Sequence, residues 1–194
     1  MPGDSQEQIS VVYKFGGSSV RDAERMREVA SIICSFPEHL PCVVLSAMGK
    51  TTNNLLAAGA EAKDLAHVAE VVNIPAYQTI KALHLETCDQ LGVSRATRDR
   101  VEELVSDLGR LLEGLCILQD LPPRAKDRLV SFGEVLSTTI FDGYLRSLGL
   151  RSKQINAFEA GLVTDDKFTR AEVSSPRGDE EGGTKKGGRE VWHG

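Results

Sequence analysis

A lysine followed by two glycines and two hydroxyl residues, near the N-terminus, is the segment with the clearest chemical meaning. Residues 11–20 begin with a β-branched and aromatic run that includes Lys14, continue through Gly16 and Gly17, and lead into an amphipathic helix near Asp22. Glycines let the backbone approach a ligand, and free N–H groups at a helix start attract anions. With the charge of Lys14, the pattern indicates a phosphate cradle. A Gly-Gly pair alone would favour a tight turn with an exposed lysine.

The spacing differs from the two commonest nucleotide-binding motifs. Residues 16–21 do not supply the G-x-G-x-x-G pattern of a dinucleotide site. Gly49, Lys50 and Thr51 resemble the end of a P-loop, but Val44 stands where that motif needs its first glycine. A different kind of phosphate site is therefore expected.

Composition excludes several classes of partner. The 194 residues are 41% apolar and 26% charged, with a net charge of -5, which is typical of a globular protein and gives no reason to expect binding to nucleic acid or an anionic membrane. The cysteines and histidines show no metal-ligand spacing, so we expect no protein-held metal. No signal peptide, recognisable transit peptide or membrane-spanning run is visible, so we expect a soluble protein.

Hydrophobic periodicity predicts an α/β fold. Strands are predicted at 9–14, 41–46 and 151–156, and helices at 22–35 and 124–148; residues 52–121 are mostly helical, with breaks near 73–75 and 92–94. The alternation of strand and helix predicts that the three strands are parallel neighbours in one sheet. The long helical region forms either a lobe or lid, or a layer packed on the sheet.

Glu134 is a candidate functional residue because of its surroundings. It lies in a helix with two apolar stripes, one turn after Val130 and two turns before Phe141, and next to Gly133. A helix apolar on two sides is largely buried, so this carboxylate needs a cation or a donor. The alternatives are a salt bridge to a neighbour such as Arg128, or a solvated side chain.

Three segments, in order, carry a resemblance to a known family. They are residues 14–20, residues 45–53 with Ser46 and Thr52, and residues 130–134, and together they resemble the aspartate kinases of the amino-acid kinase family. The likeness covers residues 9 to about 173. It implies an α/β/α sandwich, a three-layer fold with a mainly parallel sheet, here incomplete, with the phosphates of ATP over the glycine turn.

The resemblance also implies a reaction and site residues. The reaction is ATP-dependent phosphorylation of the L-aspartate side-chain carboxylate to aspartyl phosphate, the first step of the pathway to lysine, threonine and methionine, with Mg²⁺ bridging phosphate oxygens. By resemblance, Lys14 is catalytic and neutralises the transferring group; Phe15, Gly16, Gly17, Ser18 and Ser46 bind ATP; Thr52 contacts aspartate; and Glu134 meets its ammonium.

The resemblance ends where the composition changes. We expect an N-terminal extension at 1–8, part of a kinase domain at 9–173, and a disordered polar tail at 174–194. The family's later substrate contacts, nucleotide-base half and regulatory domains are not recognisable. The alternative function is an inactive fragment that associates with a full-length subunit. The resemblance is compatible with cytoplasm or plastid stroma, and with homo-oligomers.

Overall fold

Two parallel strands connected by a helix begin the fold. The computed structural model describes residues 8–156. Strand β1 (Val11–Phe15) pairs in parallel with β2 (Pro41–Leu45), from Val11 opposite Pro41 to Phe15 opposite Leu45. The predicted strands at 9–14 and 41–46 and their parallel pairing are confirmed. Because parallel strands point the same way, the loops that follow β1 and β2 lie at one edge of the sheet.

Helix α1 (Ala23–Cys34) makes the crossover between the strands. It begins at Asp22, whose carboxylate accepts a hydrogen bond from the backbone N–H of Arg25 at 2.9 Å. The inward face of α1 is buried at Ala23, Met26, Val29 and Ala30, as the sequence pattern predicts. The first loop, residues 16–22, is thereby fixed between β1 and a well-capped helix.

The region between β2 and the last helix is helical and belongs to the main core. It contains α2 (Thr51–Ala62), a short 3₁₀ helix (Val68–Asn73), α3 (Pro75–Leu91) and α4 (Arg95–Leu118). These bounds confirm the predicted breaks near 73–75 and 92–94. The helices contact one another and α5, and their buried residues join those of α1 in one apolar cluster. The region is therefore a helical layer within the main core, packed on α5 rather than directly on the sheet as the second alternative expected.

Helix α5 (Pro123–Ser147) passes through the core and confirms the predicted helix at 124–148. Leu129, Leu136 and Ile140 are fully buried. Gly149, with a φ of +81°, ends the helix, and its N–H donates a hydrogen bond to the carbonyl of Arg146. α5 contacts α2, α4 and β2, so it connects the helical layer to the sheet.

The predicted third strand at 151–156 is wrong, because these residues pair with no strand in the part of the chain that the structure describes. Their polar side chains bind α5 instead: Ser152 donates to the carboxylate of Asp142 at 2.7 Å, and the Gln154 amide donates to Thr138 at 2.7 Å. Ile155 is 54% exposed. Side-chain hydrogen bonds to α5 therefore replace the ladder that a strand needs.

Other expectations fall outside the structure. The N-terminal extension up to residue 7, the boundary at residue 173 and the tail at 174–194 lie outside the described residues. Within residues 8–156, no helix combines the length and apolar character needed to cross a membrane.

Candidate active site

The loops that follow β1 and β2 are hydrogen-bonded to each other. The N–H of Ser46 donates to the carbonyl of Phe15 at 3.1 Å, and the N–H of Gly49 donates to the carbonyl of Gly17 at 3.0 Å. The first loop is residues 16–22 and the second loop is residues 46–50. Two of the three segments singled out in the sequence are therefore adjacent at the carboxyl edge of the sheet.

Gly17 is required by this close contact. A Cβ atom at this position would lie 2.7 Å from the carbonyl oxygen of Ala47 and 3.3 Å from that of Gly49. Backbone atoms cannot rotate away as a side chain can, so only glycine allows the two loops to approach this closely.

Lys14 is exposed and its ammonium lies beside the glycine turn. A Cβ atom on Gly16 would lie 3.9 Å from the Nζ of Lys14, and a hydrogen bond of 2.9 Å from Ser19 N–H to the Gly16 carbonyl closes the turn. Within residues 8–156 the Lys14 ammonium forms no ion pair. The arrangement leaves a full positive charge next to accessible backbone. Phe15 is partly buried against the core, and Ser18 is exposed.

The start of α2 adds a second set of backbone donors. No side chain caps this helix; the N–H of Thr51 donates to the carbonyl of Met48 at 2.9 Å, while those of Thr52 and Asn53 are available to an anion or a polar ligand. Thr52 is half-buried in the first turn. Thr51 is fully buried, and its hydroxyl has no hydrogen-bond partner among the described residues.

Helix α5 brings the third segment against the second loop. A Cβ atom on Gly133 would lie 2.6 Å from the Cβ of Ala47 and 3.7 Å from the methyl group of Thr51. Four residues later, the Ser137 hydroxyl donates to the carbonyl of Ser46 at 2.8 Å. Contacts before and after Glu134 thus place this residue beside the second loop.

Glu134 itself is exposed, which corrects the expected buried carboxylate. The stripe that contains it is buried at Ser137, Phe141 and Leu145, but not at Glu134. The reason is geometric: each residue turns about 100° around a helix, so packing Gly133 against Ala47 directs the next residue away from that contact. Among the described residues, its carboxylate forms no ion pair, which corresponds to the solvated alternative.

The structure therefore brings together the three segments that hold the predicted site residues. It also shows two residues that the sequence analysis missed, Thr51 and Ser137. Ser137 had a detectable signal, since it is a lone hydroxyl residue in a stripe with Phe141 and Leu145. Thr51 had none, because a threonine at the start of a helix is usually exposed or a cap.

Sequence comparison connects this arrangement with known enzymes. The model of the amino acid kinase family matches residues 10–181. Aspartokinase 2, chloroplastic, of Arabidopsis thaliana is 46% identical over 167 residues, which is 86% of this chain and 30% of the relative. Lysine-sensitive aspartokinase 3 of Escherichia coli is 34% identical over 164 residues, or 84% of this chain and 34% of the relative. The chain thus spans about a third or less of these relatives.

A solved structure has the same fold. Escherichia coli aspartokinase III, crystallised in complex with aspartate and ADP, superposes with a TM-score of 0.72 at 30% identity, covering 84% of this chain and 34% of that chain. The parallel α/β architecture expected from the sequence is confirmed by this likeness and by the paired β1 and β2. On the match of residues 10–181, the chain belongs to the amino acid kinase family.

Proposed function

We propose that this chain forms the phosphate- and aspartate-binding part of an aspartate kinase, which transfers the terminal phosphoryl group of ATP to the side-chain carboxylate of L-aspartate. The observation that carries the proposal is the meeting of three segments at one residue: Gly17 and Gly133 both pack on Ala47. The identity of 45% or 46% to three Arabidopsis aspartokinases supports aspartate as the substrate.

Lys14 and the glycine turn are proposed to bind the phosphates of ATP. The Lys14 ammonium lies beside Gly16, which has no side chain to block an approaching phosphate, and has no competing carboxylate within residues 8–156. Phosphoryl transfer depends mainly on positioning and charge neutralisation, which a lysine and backbone N–H groups provide. Phe15, Gly17, Ser18 and Ser46 complete this side of the proposed site.

Thr52 and Glu134 are proposed to hold the aspartate. Glu134 is exposed beside the second loop, so its carboxylate is free to accept charge-assisted hydrogen bonds from the substrate ammonium. Thr52 lies in the uncapped first turn of α2, where a hydroxyl and nearby N–H groups suit a carboxylate. The substrate thereby lies between α2 and α5.

Mg²⁺ fits this proposal as an ion carried by the nucleotide. Within the described range, no three acidic, histidine or cysteine side chains come together as a metal site, so the ion is proposed to bind through phosphate oxygens. When bound, it supplies further neutralisation of phosphate charge. The chain's own contribution is the Lys14 charge and the two loops that orient the phosphates.

The biological setting is proposed from the same comparisons. The activity is the first step of the pathway to lysine, threonine and methionine, and the chloroplastic Arabidopsis relatives favour the plastid stroma over the cytoplasm. Association with a second copy or with a full-length subunit stays a prediction. An inactive fragment is the alternative that the assay below separates.

Ligand binding by the purified 194-residue chain tests the proposal. We expect the melting temperature to rise with Mg-ATP and with aspartate, because a ligand that binds only the folded state stabilises it by about 2.7 kcal/mol at a hundred times its Kd. Lys14→Ala is expected to abolish the Mg-ATP effect, whereas Lys81→Ala, which removes an exposed lysine on α3, keeps it.

Trapping of aspartyl phosphate with hydroxylamine, in the same samples, separates binding from turnover. Binding without product supports the inactive-fragment alternative. No response to either ligand, or equal responses from the two lysine variants, contradicts the proposed site.

A further inference from the structure

We propose that Ser137 is a positioning residue that sets the spacing between Glu134 and Thr52, and that it thereby acts on aspartate binding rather than on nucleotide binding. The inference rests on the proposed function, since it assigns aspartate to those two residues. No part of the resemblance in the sequence included Ser137.

The contact that carries the inference is buried and specific. Ser137 is fully buried, and its hydroxyl donates to the carbonyl of Ser46 at 2.8 Å, with the carbonyl of Glu134 at 3.1 Å as a second acceptor. The Ser137 hydroxyl is buried while Ser46 is half-buried, and removing the hydroxyl takes this donor from the Ser46 carbonyl at the contact between α5 and the second loop. The hydrogen bond connects the helix that carries Glu134 to the loop that leads into Thr52.

The second contact between the same elements cannot replace this hydrogen bond. At Gly133, α5 approaches the second loop so closely that a Cβ atom would lie 2.6 Å from the Cβ of Ala47. This contact is apolar and limits only how closely the two elements approach. The Ser137 hydrogen bond is directional, so it fixes how α5 is rotated and shifted against the loop.

Loss of the Ser137 hydroxyl should weaken aspartate binding but not nucleotide binding, because the two loops that bind the phosphates are connected to each other by other hydrogen bonds. The first and second loops are connected by two backbone hydrogen bonds, from Ser46 to Phe15 and from Gly49 to Gly17, and neither involves α5. Loss of the Ser137 hydroxyl therefore leaves the glycine turn and Lys14 in place while α5 shifts. Ser46, which accepts the Ser137 hydrogen bond and also belongs to the phosphate side, keeps its own N–H bond to Phe15 when the hydroxyl is lost, whereas aspartate lies between the two elements that shift.

The test compares Ser137→Ala with Thr87→Val. Both changes remove one buried hydroxyl and little else; Thr87 is 2% exposed and donates to the Leu83 carbonyl within α3, away from the loops. Affinities for aspartate and for Mg-ADP are measured by calorimetry on the full chain. We expect Ser137→Ala to raise the aspartate Kd about tenfold or more, as small displacements of positioning groups do, and to leave the Mg-ADP Kd within about twofold.

A ligand-independent measurement reports the same junction. The methyl group of Thr51 lies near Gly133, at 3.7 Å from a Cβ built there, so the two residues should give a nuclear Overhauser contact in the unliganded protein. We expect Ser137→Ala to weaken this contact and Thr87→Val to retain it.

Each outcome decides between the two proposals. The role of Ser137 is overturned if Ser137→Ala keeps the Thr51–Gly133 contact, or if it weakens the binding of aspartate and of Mg-ADP equally. It is also overturned if Thr87→Val weakens aspartate binding selectively. If the unmodified chain binds neither ligand while Ser137→Ala still loses the contact, the proposed function fails but the positioning of α5 by Ser137 stands.

Discussion

Individual glycines decide how closely the segments of the site approach one another. Gly17 meets backbone atoms of the second loop, and Gly133 meets Ala47 on the same loop. A methyl group at either position would occupy space already filled by neighbouring atoms, and at Gly17 those neighbours are carbonyl oxygens that move only with the chain. The site therefore depends on two positions that lack a side chain.

Gly17→Ala should destabilise the protein. The added Cβ atom would lie 2.7 Å from the carbonyl oxygen of Ala47, so the loops must separate, and overpacking of this kind costs about 1–3 kcal/mol. Gly114→Ala is the matched control, because nothing lies within 4 Å of its Cβ and alanine is the better helix former by about 1 kcal/mol. Urea denaturation measures both; equal effects would contradict the close contact of the loops.

His84 should make the stability depend on pH. Its Nδ1 donates to the carbonyl of Ile80 at 2.7 Å, and its Nε2 has no partner among the described residues. Burial lowers the pKa of this imidazole below its usual 6.5, against the opposing effect of the hydrogen bond to Ile80. The unfolded chain therefore binds the proton more readily, and stability is lost as the pH falls below about 6.5 toward the folded pKa.

Urea denaturation between pH 5 and 8 tests this expectation. The free energy of unfolding should fall toward acid by at most about 1.4 kcal/mol per pH unit from this one group. His84→Leu should flatten that part of the curve, and His67→Gln, at an exposed histidine, should leave it unchanged. A His84→Leu variant with the original slope would assign the pH dependence to other groups.

At the level of secondary structure, the site is built at the ends of elements. The first loop lies between the end of β1 and the start of α1, and the second lies between the end of β2 and the start of α2. The start of α1 is capped by the side chain of Asp22, whereas no side chain caps the start of α2. The cap fixes the first loop to α1, whereas at the start of α2 only the N–H of Thr51 has a partner outside the helix, the Met48 carbonyl.

Asp22→Ala should weaken α1 and the loop before it. The carboxylate accepts the Arg25 N–H, and this hydrogen bond lowers the pKa of Asp22, so its contribution is complete above the unfolded pKa of about 3.9 and is lost as the pH falls through the lower folded pKa. Removing the cap should cost about 0.5–2 kcal/mol at pH 7 by urea denaturation.

Asp22→Asn is the control for the cap, since asparagine also caps helices well and should retain most of the stability at neutral pH. If the asparagine variant loses as much as the alanine variant, the charge of Asp22 matters more than its hydrogen bond.

On the scale of the whole molecule, one face of the β1–β2 sheet is left uncovered by the residues that the structure describes. Val12 and Val44, on the same face as Lys14, are 62% and 46% exposed, while Phe15, Val43 and Leu45 face the core. Parallel sheets usually have both faces covered. The chain also spans only 30% of the length of Arabidopsis aspartokinase 2. Full turnover is therefore expected to need more of the kinase than these residues.

A chimera tests that expectation. The purified chain should form no measurable aspartyl phosphate, whereas residues 1–173 joined to the C-terminal part of Arabidopsis aspartokinase 2 should form it with ATP, Mg²⁺ and aspartate. Lys14→Ala in the chimera should abolish product by removing the charge that offsets the transferring group.

Each alternative result has a distinct meaning. Strong turnover by the chain alone, lost in Lys14→Ala, would show that residues 1–194 suffice. A chimera that folds and remains inactive would contradict the proposed aspartate kinase activity.

The sequence by itself determined the local elements and the family. Periodicity and caps predicted β1, β2, α1 and α5 close to their observed bounds, because short-range spacing and helix-end residues determine these features. The resemblance in residues 14–20, 45–53 and 130–134 identified the family that residues 10–181 match. These conclusions needed only information that lies within short stretches of the chain.

The tertiary structure alone decided how the segments meet. Periodicity predicted a buried Glu134, but packing Gly133 on Ala47 turned the carboxylate outward. The order of strands and helices predicted a further strand at 151–156, but Ser152 and Gln154 form hydrogen bonds with residues of α5. The hydrogen bond from Ser137 to Ser46 joins residues 91 positions apart. Such contacts depend on how whole helices and strands pack against one another. A local pattern of residues carries no information about that packing.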